Sequence, residues 1–541
     1  MKHIRSLLNL FVRVRAVRIL LAALLMGFGS VFASVWPLLI LGIAFFVSVV
    51  RSALSTRQVV VDGYLIGLGS SLLILSPFAL GVLPLDWYGL RGWVLPSLAL
   101  SVSALLAAHI LVLPYVIMAW VIRRFYSYTW IDLVSIPAAW VVCLWLSSWF
   151  FYIVFHGAGS FVGPHFTLGF LGYPLASNPI LLQLASIGGI YLLSFSTVLF
   201  GVLVCKAFIP SRDQHKYSYK LILIGIILVV GILQVLFIQG RIFQPSQDTP
   251  LITVAAISRY VPPVLAPSHT LQTQHFTQLR DVILPLRTVD LIVFPENSGF
   301  LQMAQSDGFN MLQFAQAGKS GQIPAMIDAT DGRDQEGNMY AEANLFKNGH
   351  INSIGQKQFL LPFGEYIPYA FDFLFSNIGE NKLLTSIRKV RSYTPGENTQ
   401  FARINETNVA VRFCDEILSP SLFLRQTTQG AHVLVNLSAL SWFHGSHVVY
   451  ENMHRVAQVR AVENGRYLVQ STNMAPAFIL DQYGRVVSET RWDELGVAKA
   501  DVPSLRHTTL FVRLGEWYIL WYALCAFCIL LYIRRVKRVS H

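Results

Sequence analysis

Before residue 240 the chain carries seven apolar segments, near 17–33, 36–50, 64–82, 93–121, 131–151, 182–206 and 219–238, and an eighth lies near 516–533. A helix needs about 20 apolar residues to cross a bilayer core, and inside that core the backbone must satisfy its own polar groups. The segments therefore predict eight membrane helices. The fourth is long enough to tilt or to include an interfacial piece. The first lacks a small-residue cleavage site with a polar follow-on, so it is expected to stay as an anchor. Composition agrees: apolar residues make up 54% of the 541 and charged residues only 13%, with 13% aromatics to supply interfacial belts.

The net charge of +12 invites a nucleic-acid reading, but its distribution argues against one. Basic residues gather at the chain ends (Lys2, Arg5, Arg13, Arg15, Arg18; Arg534, Arg535, Lys537, Arg538) and between apolar runs (Arg51/Arg57, Arg123-Arg124, Lys206–Lys220). These positions alternate onto one side of the helix array, which makes that side cytoplasmic. Residues 241–513 are then expected outside, on the periplasmic face of a bacterial inner membrane, with both termini inside. The expected domains are 1–240 with seven helices, 241–513 as one catalytic block, and 514–541 with the eighth helix and a tail. The helices carry few charges, Asp62 at a helix edge being the main exception, and this argues against a transporter.

The outer block has a different pattern. Short apolar, β-branched runs alternate with polar turns and helical stretches: Leu251–Ala256, Asp290–Phe294, Val409–Phe413, His432–Leu437 and Tyr467–Gln470. Such runs point to an α/β layered domain. Four of the five cysteines (Cys143, Cys205, Cys525, Cys528) sit in apolar runs and read as small buried hydrophobes. Cys414 alone lies in the polar block, either buried and inert or a nucleophile.

Three segments there set a chemically useful side chain beside a strand-like run. Asp290-Leu-Ile-Val-Phe-Pro-Glu296 delivers a carboxylate after a proline. Lys357-Gln-Phe-Leu-Leu-Pro-Phe-Gly-Glu365-Tyr-Ile-Pro368 carries a lysine and a second carboxylate. Val409-Ala-Val-Arg-Phe-Cys414-Asp-Glu416 ends a strand in a cysteine. A helix starting at Cys414 would favour the thiolate. His444, His447 and His454 lack further ligands at metal-site spacing, so no metal or other cofactor is expected.

The order Glu296, Lys357, Cys414 resembles that of the nitrilase, or carbon–nitrogen hydrolase, superfamily. The Lys357–Pro368 segment resembles the hallmark of the bacterial apolipoprotein N-acyltransferases within it. The resemblance extends through Trp36-Pro37, Pro137-Ala-Ala-Trp140, Leu184–Phe195, Trp442-Phe443, Arg460–Arg466 and Ser471-Thr-Asn473. It departs at Asp415, commonly Tyr, and at Ala439 and Leu440, where Asn and Asp are usual. Further departures are His444, inserted before Gly445, Ala475, and Leu144-Trp-Leu-Ser147, where Glu and Arg are frequent.

The resemblance implies a multi-pass helical membrane domain joined to an extracytoplasmic α/β domain of the nitrilase-like αββα sandwich type. It implies that Cys414 takes an acyl group from a phospholipid, phosphatidylethanolamine or a relative, as a thioester. The acceptor is the N-terminal amine of a diacylglyceryl-cysteine on an apolipoprotein. Glu296 becomes the general base, Lys357 the oxyanion donor, and Glu365 and Glu416 the supporting carboxylates that orient Lys357. Trp442 and Phe443 are expected at the acyl entrance, and Phe371, Phe373 and Phe375 on a mobile lipid-contacting arm. The rival readings are a membrane-tethered amidase with the same triad, a divergent paralogue with another acyl acceptor, and a transporter or receptor.

Overall fold

The computed structural model describes residues 14–80, 94–126, 129–208, 216–238, 249–262, 264, 268–306, 323–378, 392–397 and 400–539. Among the described residues, seven helices of 15 residues or more precede the outer block: α1 (Arg15–Val31), α2 (Pro37–Arg51), α3 (Thr56–Leu80), α4 (Val94–Phe125), α5 (Asp132–Val154), α6 (Ala185–Phe208) and α7 (Lys216–Ile238). Five stretches are long and apolar enough to cross a membrane: Thr56–Pro77, Ala104–Phe125, Asp132–Val154, Ala185–Phe208 and Ser218–Phe237. α1, at 17 residues, and α2, at 15, are shorter. Only 6% of the α7 window is buried, which is the condition of a helix facing lipid on most sides.

Two features correct the sequence reading of this region. Asp62 lies within α3 rather than at its edge and is ion-paired with Arg15. Lys206 and Asp132, both fully buried, form a second pair at 2.9 Å. Charges in apolar surroundings persist only when paired, so these pairs fix how α1 meets α3 and how α5 meets α6. Arg15 also reaches the Ser52 carbonyl, and Arg51 reaches Cys205 and the Tyr126 ring. The starts of α1, α3 and α5 and the ends of α2, α4 and α6 therefore share one end of the bundle. Cys143 and Cys205 are buried as expected, whereas Cys525 and Cys528 are exposed.

The outer block is built on twelve strands: β1 (Leu251–Arg259), β2 (Leu291–Val293), β3 (Ala325–Arg333), β4 (Met339–Lys347), β5 (His350–Gln356), β6 (Ala402–Ile404), β7 (Thr407–Phe413), β8 (Val433–Ala439), β9 (Tyr467–Asn473), β10 (Phe478–Leu480), β11 (Val486–Glu489) and β12 (Gly496–Pro503). Their order is β5-β4-β3-β2-β1-β9-β8-β7-β6, with β12 antiparallel to β1, and β10 and β11 continuing antiparallel from β9. The centre is parallel from β3 to β7, and the edges are antiparallel.

Both faces of the centre are buried, which explains its unbroken apolar runs. Residues 252, 254 and 256 of β1 share one core with 409, 411 and 413 of β7 and with 433, 435 and 437 of β8. The sheet therefore folds over a single inner core. Ala255 and Ile257 face the other way, onto α8 (His269–Ile283) and the helix α9 (Phe300–Ser306). Ala410, Leu434 and Leu468 face α10 (Pro420–Thr428) and α11 (His447–Asn464), whose far sides belong to the same core as the membrane helices. The layers run helix, sheet, sheet, helix, and then membrane bundle.

α11 is what seats the domain. Arg455 and Asn452 donate to the Val31 carbonyl at the end of α1, at 2.7 and 3.2 Å, filling an orphan acceptor of that helix terminus. Glu463, fully buried, accepts from Ile190 N at 2.7 Å. That N–H is available because α6 breaks at Gly188 and Gly189. Gly189 has φ +63, and a Cβ there would meet Phe511 at 2.5 Å and the Glu463 carboxylate at 2.9 Å. The break thus requires glycine. α12 (Leu510–Leu514) then leads to α13 (Trp517–Val539), the last apolar helix.

Candidate active site

Glu296, Lys357 and Cys414 come from three separate strand ends. Glu296 follows β2 through Phe294 and Pro295. The backbone just beyond it is held by Arg259, which donates to the Asn297 and Ser298 carbonyls at 2.7 and 3.3 Å. Lys357 follows β5, its N–H donating to Ala341 O at 2.9 Å and its carbonyl accepting from Gly396 N at 2.8 Å. Cys414 follows β7 at φ +30, a region that non-glycine residues seldom occupy. Such strain persists where the surroundings over-determine it.

Glu416 supplies that constraint. It is fully buried, and its carboxylate accepts from Phe413 N (3.0 Å), Gln358 N (2.8 Å) and Phe359 N (3.1 Å), beside the Arg412 guanidinium at 3.7 Å. The expectation that Glu416 orients the Lys357 amine is corrected. It grips the backbone just after Lys357 and just before Cys414, locking the two segments together. Glu365 does touch the amine: Lys357 Nζ donates to its Oε1 at 2.9 Å, while its Oε2 accepts from Leu361 N at 2.7 Å. The turn carrying it includes Phe363 at φ +64.

Lys357 Nζ stands 2.6 Å from Asp415 Oδ1, 2.9 Å from Glu365 and 3.6 Å from Glu296, and every partner is nearly buried. Sequence reasoning noted Asp415 only as an unusual neighbour and missed it as the closest carboxylate to the lysine. Its signal was available, since a charged residue just beyond a buried strand must find a partner. Burial alone would lower the Lys357 pKa, but Asp415, Glu365 and Glu296 outweigh it and raise it well above the ordinary value. Burial pushes Asp415 up to about 7, against the pull of Lys357.

The Cys414 thiol lies 3.9 Å from the Ala439 carbonyl and 3.8 Å from Ser438 Oγ. Burial, and then the Glu296 charge, raise its pKa well above the ordinary range, with Lys357 opposing. The expected helix-terminus activation is therefore corrected. Residues Cys414–Leu418 form a single 3-10 turn bearing two carboxylates, and burial favours the thiol over the thiolate. A reaction at this sulfur needs a base that removes the proton as attack proceeds.

The flanking aromatics divide. Trp442 and Phe443 are half-buried in the turn after β8, and Phe443 packs on the core shared with the membrane helices. His444 follows in the left-handed conformation, φ +49, and is exposed. Tyr369–Ile378 is a helix whose start is docked on the end of α5, with Tyr369 N donating to His156 O at 2.8 Å. Phe371 stacks on Phe155 with centroids 6.0 Å apart and meets Phe363 edge-on at 4.8 Å. Phe373 is 73% exposed. The Phe375 side chain lies outside the described residues.

Comparison with known proteins follows the same division of the chain. Residues 22–203 match the apolipoprotein N-acyltransferase N-terminal domain, and 280–509 match the carbon–nitrogen hydrolase domain. The chain belongs to the apolipoprotein N-acyltransferase family. The apolipoprotein N-acyltransferase of Pseudomonas syringae pv. tomato is 25% identical over 517 residues, covering 92% of this chain and 91% of its own. That of Pseudomonas paraeruginosa is 25% identical over 407 residues, 71% of each chain. That of Borreliella burgdorferi is 24% identical over 379 residues, covering 65% of this chain and 70% of its own. Among solved structures, an amidase from Nesterenkonia sp. aligns with 50% of this chain and 96% of its own, at 16% identity and a TM-score of 0.36. The protein is a membrane-associated N-acyltransferase of this family.

Proposed function

We propose that Cys414 takes a fatty acyl group from a phospholipid and passes it to the N-terminal amine of S-diacylglyceryl-cysteine in an apolipoprotein. The observation that carries this reading is one buried cluster. A cysteine on a strained turn, an ammonium and a carboxylate converge from three strand ends in a domain seated directly on apolar helices.

In the first half-reaction the sulfur attacks the ester carbonyl while Glu296 takes the thiol proton. The S–C bond forms, the C–O bond breaks, and Glu296 returns the proton to the departing lysophospholipid oxygen. Lys357 has three N–H donors; one is hydrogen-bonded to Glu365 and the ammonium is ion-paired with Asp415, which leaves an N–H for the developing oxyanion. In the second half-reaction the amine attacks the thioester. The N–C bond forms, the C–S bond breaks, and the amine proton passes through Glu296 to the leaving sulfur.

The donor class we favour is phosphatidylethanolamine. Trp442, Phe443 and the exposed Phe373 are placed to meet acyl chains. The catalytic domain, 241–513, faces the periplasm, and eight helices span the inner membrane with both termini in the cytoplasm. The basic residues Arg15, Arg51 and Lys206 support this orientation, because they lie at the bundle end opposite the contacts made by Val31, His156 and Ile190.

The test is to incubate the detergent-solubilised protein with fluorescent phosphatidylethanolamine and follow a hydroxylamine-sensitive acyl adduct, then its transfer to a diacylated lipopeptide. Wild type should form and discharge the adduct. Cys414→Ala and Glu296→Gln should form none, and Lys357→Ala should lose about 100- to 1,000-fold in rate. An adduct that persists in Cys414→Ala would remove the nucleophile. An adduct that only water discharges would leave the triad and remove the acyl acceptor.

A further inference from the structure

Lys357 cannot serve all its carboxylates equally. Its ammonium lies 2.6 Å from Asp415 and 2.9 Å from Glu365, both within hydrogen-bonding range, but 3.6 Å from Glu296, which is outside it. That ordering bears on chemistry. A carboxylate that shares hydrogen bonds with an ammonium is stabilised as the anion and becomes a weaker base. A general base is useful only if it holds a proton well enough to take one from a thiol. The lysine therefore sits within ion-pair reach of Glu296 but beyond hydrogen-bonding distance.

We propose that Asp415 is a positioning residue that holds the Lys357 ammonium off Glu296 and so preserves the basicity of Glu296. The inference rests on the reading of Glu296 as base and Cys414 as nucleophile. The geometry fits the task from both directions. The Cys414-Asp415-Glu416 turn takes the lysine at two points, Asp415 at the amine and Glu416 at the Gln358 and Phe359 amides. Whatever moves the nucleophile moves the lysine with it.

Among the described residues, the charged and titratable groups facing Asp415 come from four segments. Lys357 comes from the end of β5, Glu365 and Tyr366 from the following turn, Glu296 from the end of β2, and Cys414 from its own turn. Three buried carboxylates face one ammonium. Burial raises the Asp415 pKa to about 7 against the pull of Lys357. Above it, Asp415 is ionised and holds the lysine. As the pH falls through that value, Asp415 is protonated, releases its share of the ammonium, and Lys357 settles on Glu296. Acyl-adduct formation should therefore fall off on the acid side near neutrality, well above the ordinary carboxylate range.

The test is the pH profile of adduct formation by the full-length protein with fluorescent phosphatidylethanolamine, for wild type, Asp415→Asn, Asp415→Ser and Asp415→Glu. Both neutral variants should move the acid limb to lower pH by about one unit or more, the scale on which a nearby opposite charge shifts a carboxylate. Their plateau rates should be several-fold lower because Glu296 is a weaker base. Asp415→Glu should return the limb toward its wild-type position. The serine variant, which adds no bulk, is read in place of the asparagine if the latter does not fold. A neutral variant that loses rate with an unmoved limb would make Asp415 merely structural and overturn the inference. If wild type forms no adduct at any pH, the proposed function itself has failed.

Discussion

At the scale of single residues, the grouping of the candidate residues was legible where one side chain sits at a strand end, and illegible where a side chain contacts backbone. Glu296, Lys357 and Glu365 come together, with Lys357 hydrogen-bonded to Glu365 and 3.6 Å from Glu296. Glu416 was named for the wrong contact, because nothing in Cys-Asp-Glu says that a carboxylate will fold back onto amides 57 and 58 positions away. Its position makes a specific prediction. Glu416→Gln keeps the shape but leaves one side of the group as a donor facing backbone N–H groups, with Arg412 still buried alongside. Charge-assisted hydrogen bonds are worth about 1.5–3 kcal/mol each, so thermal unfolding should show a loss of roughly 2 kcal/mol. Adduct formation should fall more than tenfold, since the Cys414 turn and the Lys357 segment lose a common anchor. A variant equally destabilised but fully active would show that the Cys414 turn needs no such brace.

At the scale of elements, the five runs read as strands all became strands: β1, β2, β7, β8 and β9. They form the parallel centre, where burial on both faces demands continuous apolar sequence. Strands β3, β4 and β5 were missed because polar residues interrupt them, as at Asp328 and Asp331-Gly-Arg333 in β3, Glu342 and Asn344 in β4, and His350-Ile-Asn-Ser353 in β5, so none carries such a run. The Phe371–Ile378 segment was read as a mobile arm, yet it belongs to a helix docked on α5. Its aromatics have opposite roles. Phe371→Asp removes a ring stacked on Phe155 and edge-on to Phe363 and should cost about 2 kcal/mol in a thermal unfolding measurement. Phe373→Asp changes a side chain that is 73% exposed and should leave the unfolding midpoint nearly unchanged. It should slow turnover of bilayer phospholipid several-fold but not of a micellar short-chain analogue. Equal loss on both substrates would place Phe373 outside lipid contact.

At the scale of the whole molecule, two buried polar systems at opposite ends of the bundle define how the halves meet. At one end Arg15–Asp62 and Lys206–Asp132 tie helices to helices. At the other, Arg455 and Glu463 tie the catalytic domain to the end of α1 and the break in α6. Apolar periodicity announced the helices but not these ties, which depend on partners 47 to 424 positions apart. The two ends cannot lie on the same side of a membrane, and this makes the topology testable in one experiment. Gly396, in a polar turn, would be a poor place for a reporter, because its N–H is bonded to Lys357 O and any Cβ would meet Gln356 at 2.3 Å. Glu336, in the exposed turn between β3 and β4, and Arg57, at the start of α3, are better positions. Cysteine placed at Glu336 should react with a membrane-impermeant maleimide added to spheroplasts, whereas cysteine at Arg57 should react only after the membrane is opened. Labelling of Arg57→Cys in intact spheroplasts, with Glu336→Cys protected, would invert the protein. The acyl donor would then have to come from the cytoplasmic leaflet.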